Sequence, residues 1–303
     1  MACLPRLPLG EQVAGTTAGS AALGQTRSMT KHIFDQAIAL EADPDSPDIW
    51  LGKTSPGYWN MVGPYGGISA AILTQAMLLH PALLGEPVAL TVNYPSGVAP
   101  GPYRVTASPV RTNRSTQHWI LSLTQRDAAG VDVVAITATA MTALPRDTWH
   151  MNDAPIPDVP LAGVTPRVAP LGAIEWFNRY DMRYLKGDVP QHWDGSGTDS
   201  LTRLWVRDDQ PRALDFASLT AMSDVFYPRV WLRRATRVAA GTVSMTIYFH
   251  ASKQQLVQTG TGYLLAQAQA QVFRHGFADQ TAQLWNESGM LLVTSHQLVY
   301  FKE

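Results

Sequence analysis

The feature that most constrains this chain is a pattern given twice. A helix-like segment, apolar nearly all round, runs through Ile68-Ser69-Ala70-Ala71-Ile72-Leu73-Thr74-Gln75-Ala76-Met77-Leu78-Leu79. Such a helix is buried rather than amphipathic. Strand-like segments follow it to residue 144, with the turn Asp127-Ala128-Ala129-Gly130 before the last of them. The order then returns. A helix from Leu214 to Phe226 stops at Pro228, strands follow, and the turn Asn286-Glu287-Ser288-Gly289 precedes the final one. The helix starts lie about 150 positions apart and the turn glycines 159 apart. A helix apolar on all sides is buried by one sheet only if that sheet wraps it. Two such units side by side make a pseudo-dimer by internal duplication. The predicted fold class is α+β, two tandem units of a helix and a curved antiparallel sheet.

The strands show period-two alternation. Val88, Leu90, Val92 and Tyr94 form one face, and Trp119, Leu121 and Leu123 another. In the second half the expected strands are Glu175–Leu185, Leu204–Arg207, Thr242–His250, Tyr263–Phe273, a stretch around Thr281–Trp285, and Leu291–Phe301. Ala266, Ala268 and Ala270 alternate with Gln267, Gln269 and Gln271, as in an ordinary sheet with one solvated or interfacial face. Residues 146–172 form a Pro-rich connector between a first unit, 32–145, and a second, 173–303. Residues 1–31 are expected to be a disordered extension, since 1–28 are rich in Gly, Ala, Ser and Thr and lack the apolar stretch of a signal peptide; Met29 is a candidate for the true start.

Charge removes several classes of function. Lys+Arg is 23 and Asp+Glu is 24, so a net charge of −1 speaks against nucleic acid and against a polybasic membrane surface. No apolar run reaches about 18 residues, so no membrane span is expected. Cys3 is the single cysteine, which excludes an intrachain disulfide and a Cys/His zinc cluster; a reducing compartment such as the cytoplasm fits. No G-x-G-x-x-G, Walker A or H-E-x-x-H sequence is present, so no cofactor and no metal is expected. Gly67-Ile68-Ser69-Ala70-Ala71 misses the nucleophile elbow at its last position and follows no strand.

Asp224 stands out within Ala217–Tyr227, a stretch with no other charge. Buried there, a carboxylate needs a partner and acquires a perturbed pKa, as active-site groups do. Facing solvent, it would oppose the dipole of its own helix end. Local sequence leaves both readings open. On Thr242–His250, parity groups Thr242 with Ser244, Thr246, Tyr248 and His250, a face either solvated or lining a site. Gln297 shares its face with Leu291, Val293, Ser295 and Val299, so its amide needs a partner, by default a backbone group.

Together these residues resemble the acyl-CoA thioesterases of the double hotdog class, similar to bacterial acyl-CoA thioesterase II. Tyr65-Gly66-Gly67 opens the first helix, Leu214-Asp215 opens the second, Tyr248-Phe249-His250 closes a strand, and Asp279 through Gly289 to Thr294-Ser295-His296-Gln297 is the stretch most like the family. The resemblance spans about residues 33–300. It implies a catalytic trio of Asp224, Thr242 and Gln297 around a water and acyl-CoA as substrate, with no metal; a homo-oligomer is expected because sheet edges and polar faces must be covered. Tyr65, Gly66 and Gly67 are candidate substrate-binding residues, through helix-start amides that face an oxyanion in related folds. One departure is Ser244, where the family member compared has an acid. The competing readings are a non-catalytic acyl-CoA or lipid-binding hotdog protein and an enoyl-CoA hydratase-type hotdog.

Overall fold

The computed structural model describes residues 31–169, 172 and 174–303. The expected disorder of 1–31 and the status of Met29 concern residues 1–30, which lie outside the described residues. A short helix α1 (Ile33–Ala37) and strands β1 (Glu41–Ala42) and β2 (Ile49–Lys53) lead to α2 (Gly66–Leu79). Four strands follow: β3 (Glu86–Asn93), β4 (Pro102–Thr112), β5 (Thr116–Arg126) and β6 (Asp132–Ala143). In the second half, β7 (Tyr180–Lys186) and β8 (Thr202–Asp208) precede α3 (Phe216–Met222) and a short α4 (Arg229–Arg234). The chain closes with β9 (Ala240–Phe249), α5 (Lys253–Thr259), β10 (Leu264–Gln269), β11 (Phe273–Arg274), β12 (Phe277–Asn286) and β13 (Leu291–Phe301).

One antiparallel sheet runs β1-β2-β4-β5-β6-β3-β9-β13-β12-β10-β8-β7, with β11 paired to β12. Outward from its centre, β3-β6-β5-β4-β2 on one side is matched by β9-β13-β12-β10-β8 on the other. The sides meet where Ala89–Asn93 of β3 pairs with Ser244–Tyr248 of β9. This is the duplicated α+β plan expected from the sequence. Gly66 and Phe216, the helix starts, are 150 positions apart. Gly130 and Gly289 have φ of 79° and 86°, the left-handed region that an L side chain rarely adopts, and their amides bond to the Asp127 and Asn286 carbonyls at 3.0 and 2.9 Å.

Burial explains both helices. In α2, Gly67 through Thr74, Ala76 and Met77 are buried; in α3 all seven residues are. Ala266, Ala268 and Ala270 face the core, while Gln267 on the other face bonds Arg203 and Gln283.

Several elements differ from expectation. The second helix is shorter than Leu214 to Phe226. A capping box between Asp215 and Ser218 starts it at Phe216, and i→i−3 bonds from the Asp224 and Val225 amides to Ala221 and Met222 tighten its end. Glu175–Arg179, expected as strand, is a 3-10 turn whose Trp176 stacks on Tyr65 at 4.3 Å between ring centres. Helix α5 was not foreseen, although Ser252 and Gln255 form its capping box. Part of the Pro-rich connector packs onto the second-half sheet. The Trp285 and Trp205 indoles donate to the Ala154 and Pro160 carbonyls at 2.8 and 2.9 Å, and Ala162 packs in an apolar cluster with Trp205, Tyr263, Leu265 and Trp285. Trp205→Phe keeps most of the packing and strands the Pro160 carbonyl, so it should cost about 1 kcal/mol in a urea unfolding curve. Among the described residues no helix is long and apolar enough to cross a membrane.

Candidate active site

Asp224 lies two residues past the end of α3, buried at 8 % exposure. The solvent-facing alternative is thereby excluded. So is the conflict with its own helix dipole, because the carboxylate sits at the start of the other helix. The N-cap of α2, Tyr65, makes no side-chain cap, and the Gly67 backbone amide instead serves the Asp224 carboxylate. An acid at a helix N-terminus is favoured by the macrodipole and the unpaired amides there. The approach is close. A Cβ on Gly66 would fall 2.8 Å from Asp224 Oδ2, and one on Gly67 would fall 2.5 Å from the Ala221 carbonyl oxygen. The Tyr65 hydroxyl donates to that same carbonyl.

The trio named from the sequence is brought together. Gln297 Nε2 donates to Asp224 Oδ1 at 2.7 Å, and Thr242 Oγ1 donates to Gln297 Oε1 at 3.3 Å. Gln297 therefore serves a side chain, not the backbone group expected by default. Met245 Sδ lies 3.3 Å from the same Nε2. Thr242 reaches this face through a bulge. Leu298 pairs with Ser244 and Val299 with Thr242, so Val243 has no partner on β13. Its carbonyl accepts the Tyr94 amide at 2.9 Å. One extra residue reverses the parity, and Thr242 joins Met245 on the inner face, away from Ser244, Thr246 and Tyr248. Ser244, where the family resemblance departs, thus lies on the opposite face from Gln297.

Burial pushes the Asp224 carboxyl up to about 7, against the opposing pull of the Gln297 and Gly67 donors. Desolvation disfavours the charged form, and the hydrogen bonds recover part of that cost. Burial, with the Asp224 charge nearby, also holds the Tyr65 and Tyr94 phenols well above their ordinary range, so both remain donors. Asp208, buried at the end of β8, is likewise raised to about 7 by burial.

Three contributors were not assigned to the site from the sequence. The Tyr94 hydroxyl donates to the Gly66 carbonyl at 3.0 Å, Ser295 Oγ donates to the Ser223 carbonyl at 3.3 Å, and Trp176 backs Tyr65. Parity carried a signal for the first two, since a hydroxyl on an otherwise apolar strand face needs a partner. No pattern pointed to Trp176. The arrangement presents a buried carboxylate, fixed by two donors and titrating near neutrality, at a helix N-terminus. About two of its roughly four lone-pair sites stay open to a further donor.

Comparison with known proteins identifies the family and the fold. Residues 55–143 match the family described as acyl-CoA thioesterase N-terminal domain, and residues 154–301 match its C-terminal domain. No curated protein matches the chain. A conserved protein of unknown function with a hot dog fold from Alicyclobacillus acidocaldarius is 41% identical, with a TM-score of 0.83 over 90% of this chain and 99% of that one. The acyl-CoA thioesterase II TesB2 from Mycobacterium marinum shares the fold at 15% identity, with a TM-score of 0.69 over 89% of this chain and 97% of that one. The dehydratase domain of PpsC from Mycobacterium tuberculosis is more distant, at 12% identity and a TM-score of 0.50 over 88% and 99%. Two family matches that between them cover most of the chain, on a sheet built twice around a buried helix, show that it has the double hotdog fold and belongs to the acyl-CoA thioesterase family.

Proposed function

We propose that the protein hydrolyses acyl-CoA to a free acid and CoA, with Asp224 as general base. The observation that carries this reading is the 2.7 Å bond from Gln297 to a buried carboxylate raised to about 7. A base poised near the working pH combines an adequate ionised fraction with an adequate drive for proton transfer. Asp224 takes a proton from water as the oxygen attacks the thioester carbonyl carbon. The tetrahedral oxyanion then collapses, the carbon–sulfur bond breaks, and the proton passes to the departing thiolate. A thiolate leaves without a strong acid, so no histidine is needed. Gln297 holds the carboxylate in one orientation, and Thr242 fixes which end of the Gln297 amide faces it. Amides at the start of α2 are the candidate donors to the oxyanion.

Thiol release, followed with a thiol-reactive dye over acyl-CoAs of rising chain length, tests the reading. Release is expected with wild type. Measurable acyl-CoA binding without release from any substrate would instead support the binding-protein alternative, and hydration of an enoyl-CoA would support the hydratase.

Gln297→Glu places a second acid against Asp224. Like charges raise one another's pKa, so the midpoint of kcat/KM against pH should move upward from about 7, together with a lower plateau. A pH–rate profile on one good substrate checks this, and an unmoved midpoint would remove Asp224 as the titrating group.

A further inference from the structure

The face of the sheet opposite Gln297 carries little charge. Its middle row, read across β5, β6, β3, β9, β13 and β12, is Ile120, Thr139, Thr91, Thr246, His296 and Thr281. One row runs beside it from His118 to Gln283, and another from Ser122 to Asp279. Every position in the three rows is partly or fully exposed, and none is Lys, Arg or Glu. A solvated surface is about 25–35% charged, so about five charges would be ordinary over three rows of six. The one acid, Asp279, lies 3.5 Å from His296. Charge begins outside, where Arg111 on β4 and Arg203 on β8 extend the His118 row at its two ends. Interfaces share this build, with charged residues depleted at the centre and a polar rim. Where the same face turns apolar, over β8 and β10, the connector covers it by packing on Trp205, Leu265 and Trp285. Among the described residues, the three rows stay open.

Size, polarity and relief all suit a second copy. Six strands about 4.8 Å apart and three rows about 6.7 Å apart span roughly 29 by 20 Å. With side-chain relief added, that approaches the ~800 Å² per partner of a standard interface. Polar groups on the face bond to one another, so covering them costs little. Thr91 and Thr246 share a hydrogen bond at 3.0 Å across the β3–β9 seam, and Thr294 shares one with His250 at 3.0 Å. On the first-half side of the seam, Ala89, Thr91, His118, Ile120, Thr139 and Met141 line much of a hollow of about 280 Å³. On the second-half side Tyr248, His296 and Leu298 are exposed, Tyr248 by 51 %. We propose that this face joins two copies of the chain, sheet to sheet, about a two-fold axis along the β3–β9 seam. That axis lays the second-half side of each copy on the first-half side of the other, relief over hollow, twice. The sheet's ends offer less. Strand β1 is two residues long, and the Val168 amide already takes the Met182 carbonyl of β7 at 2.9 Å.

Sedimentation equilibrium over a concentration series tests this. Wild type should weigh twice the chain, or an even multiple of it. Thr139→Arg/Thr246→Arg brings like charges together across the axis only if the two faces meet, and the dissociation constant should then rise about 10²-fold or more. Leu298→Lys should act in the same direction. Val257→Lys adds a charge at an exposed position of α5 outside the three rows and should leave the mass as it is. Circular dichroism checks folding first, and Leu298→Lys decides if the double variant does not fold. A wild type that stays monomeric at its highest soluble concentration overturns the proposal, and flotation of that monomer with neutral lipid vesicles would give the face to a lipid surface instead. An even-numbered particle that keeps its mass in the folded face variants also overturns it, by placing the contact elsewhere.

Discussion

Asp224→Asn should lower kcat by at least ~10²-fold while leaving the protein more stable at alkaline pH. The first effect follows from chemistry, since an amide cannot take the proton from water. The second follows from linkage. The folded carboxyl titrates at about 7, against an ordinary value of 3.8. The native state therefore holds its proton more tightly than the unfolded chain. Stability falls as pH rises from about 4 to about 7 and is level above that. The shift converts to a cost of up to about 4 kcal/mol at pH 8, a ceiling for one buried group. The Asn variant avoids the cost, so its margin over wild type should be greatest above pH 7 and vanish near pH 4. Asp208 contributes a similar slope to both proteins and cancels in the difference. Urea titrations of both proteins across that range, alongside the dye assay, check both effects. Wild-type-like turnover in the variant would remove Asp224 as base, and a margin that grew toward acid would reverse the sign of its shift.

Gly67→Ala and Gly66→Ala should separate folding from chemistry at the same helix start. A Cβ at 67 meets the Ala221 carbonyl and the Tyr65 ring, both at 2.5 Å, one of them backbone. The contact between α2 and the end of α3 must open, at a cost of about 1–3 kcal/mol, and the Gly67 amide moves off the Asp224 carboxylate. A Cβ at 66 meets Asp224 Oδ2 itself at 2.8 Å. There the carboxylate must turn, so turnover should fall roughly tenfold or more with a smaller loss of stability. Melting curves and kcat for both variants decide this. Equal losses of stability with unchanged turnover would mean that the close crossing is packing alone.

The sequence revealed the repeating units better than the site. Helix α2 could be read because burial on all sides leaves a plain mark, and the turns at Gly130 and Gly289 because their φ demands glycine. The bounds of β13 fell where expected, since the turn at Gly289 marks where the strand can begin. Asp224 could be singled out by its apolar surroundings but not placed. The groups that fix it, Gln297 and the Gly67 amide, lie far away in the chain, one on the last strand and one in the other half. Thr242 was set by parity on the wrong face, because a bulge at Val243 has no local signature. The resemblance to a family supplied the trio; the residues alone supplied only its chemistry.

The matched halves of the sheet also bear on how many reaction centres a chain can hold. Two equivalent crossings of helix and strand exist, and only one is furnished. The position in α2 that corresponds to Asp224 by helix start is Thr74, buried and bonded to Thr220. The position in β6 that corresponds to Gln297 is Ala138, facing the core. A tight-binding acyl-CoA analogue should therefore saturate at one equivalent per polypeptide. On the proposed reading, conservative substitutions at Thr74 and Ala138 should therefore register in stability and leave turnover as it is.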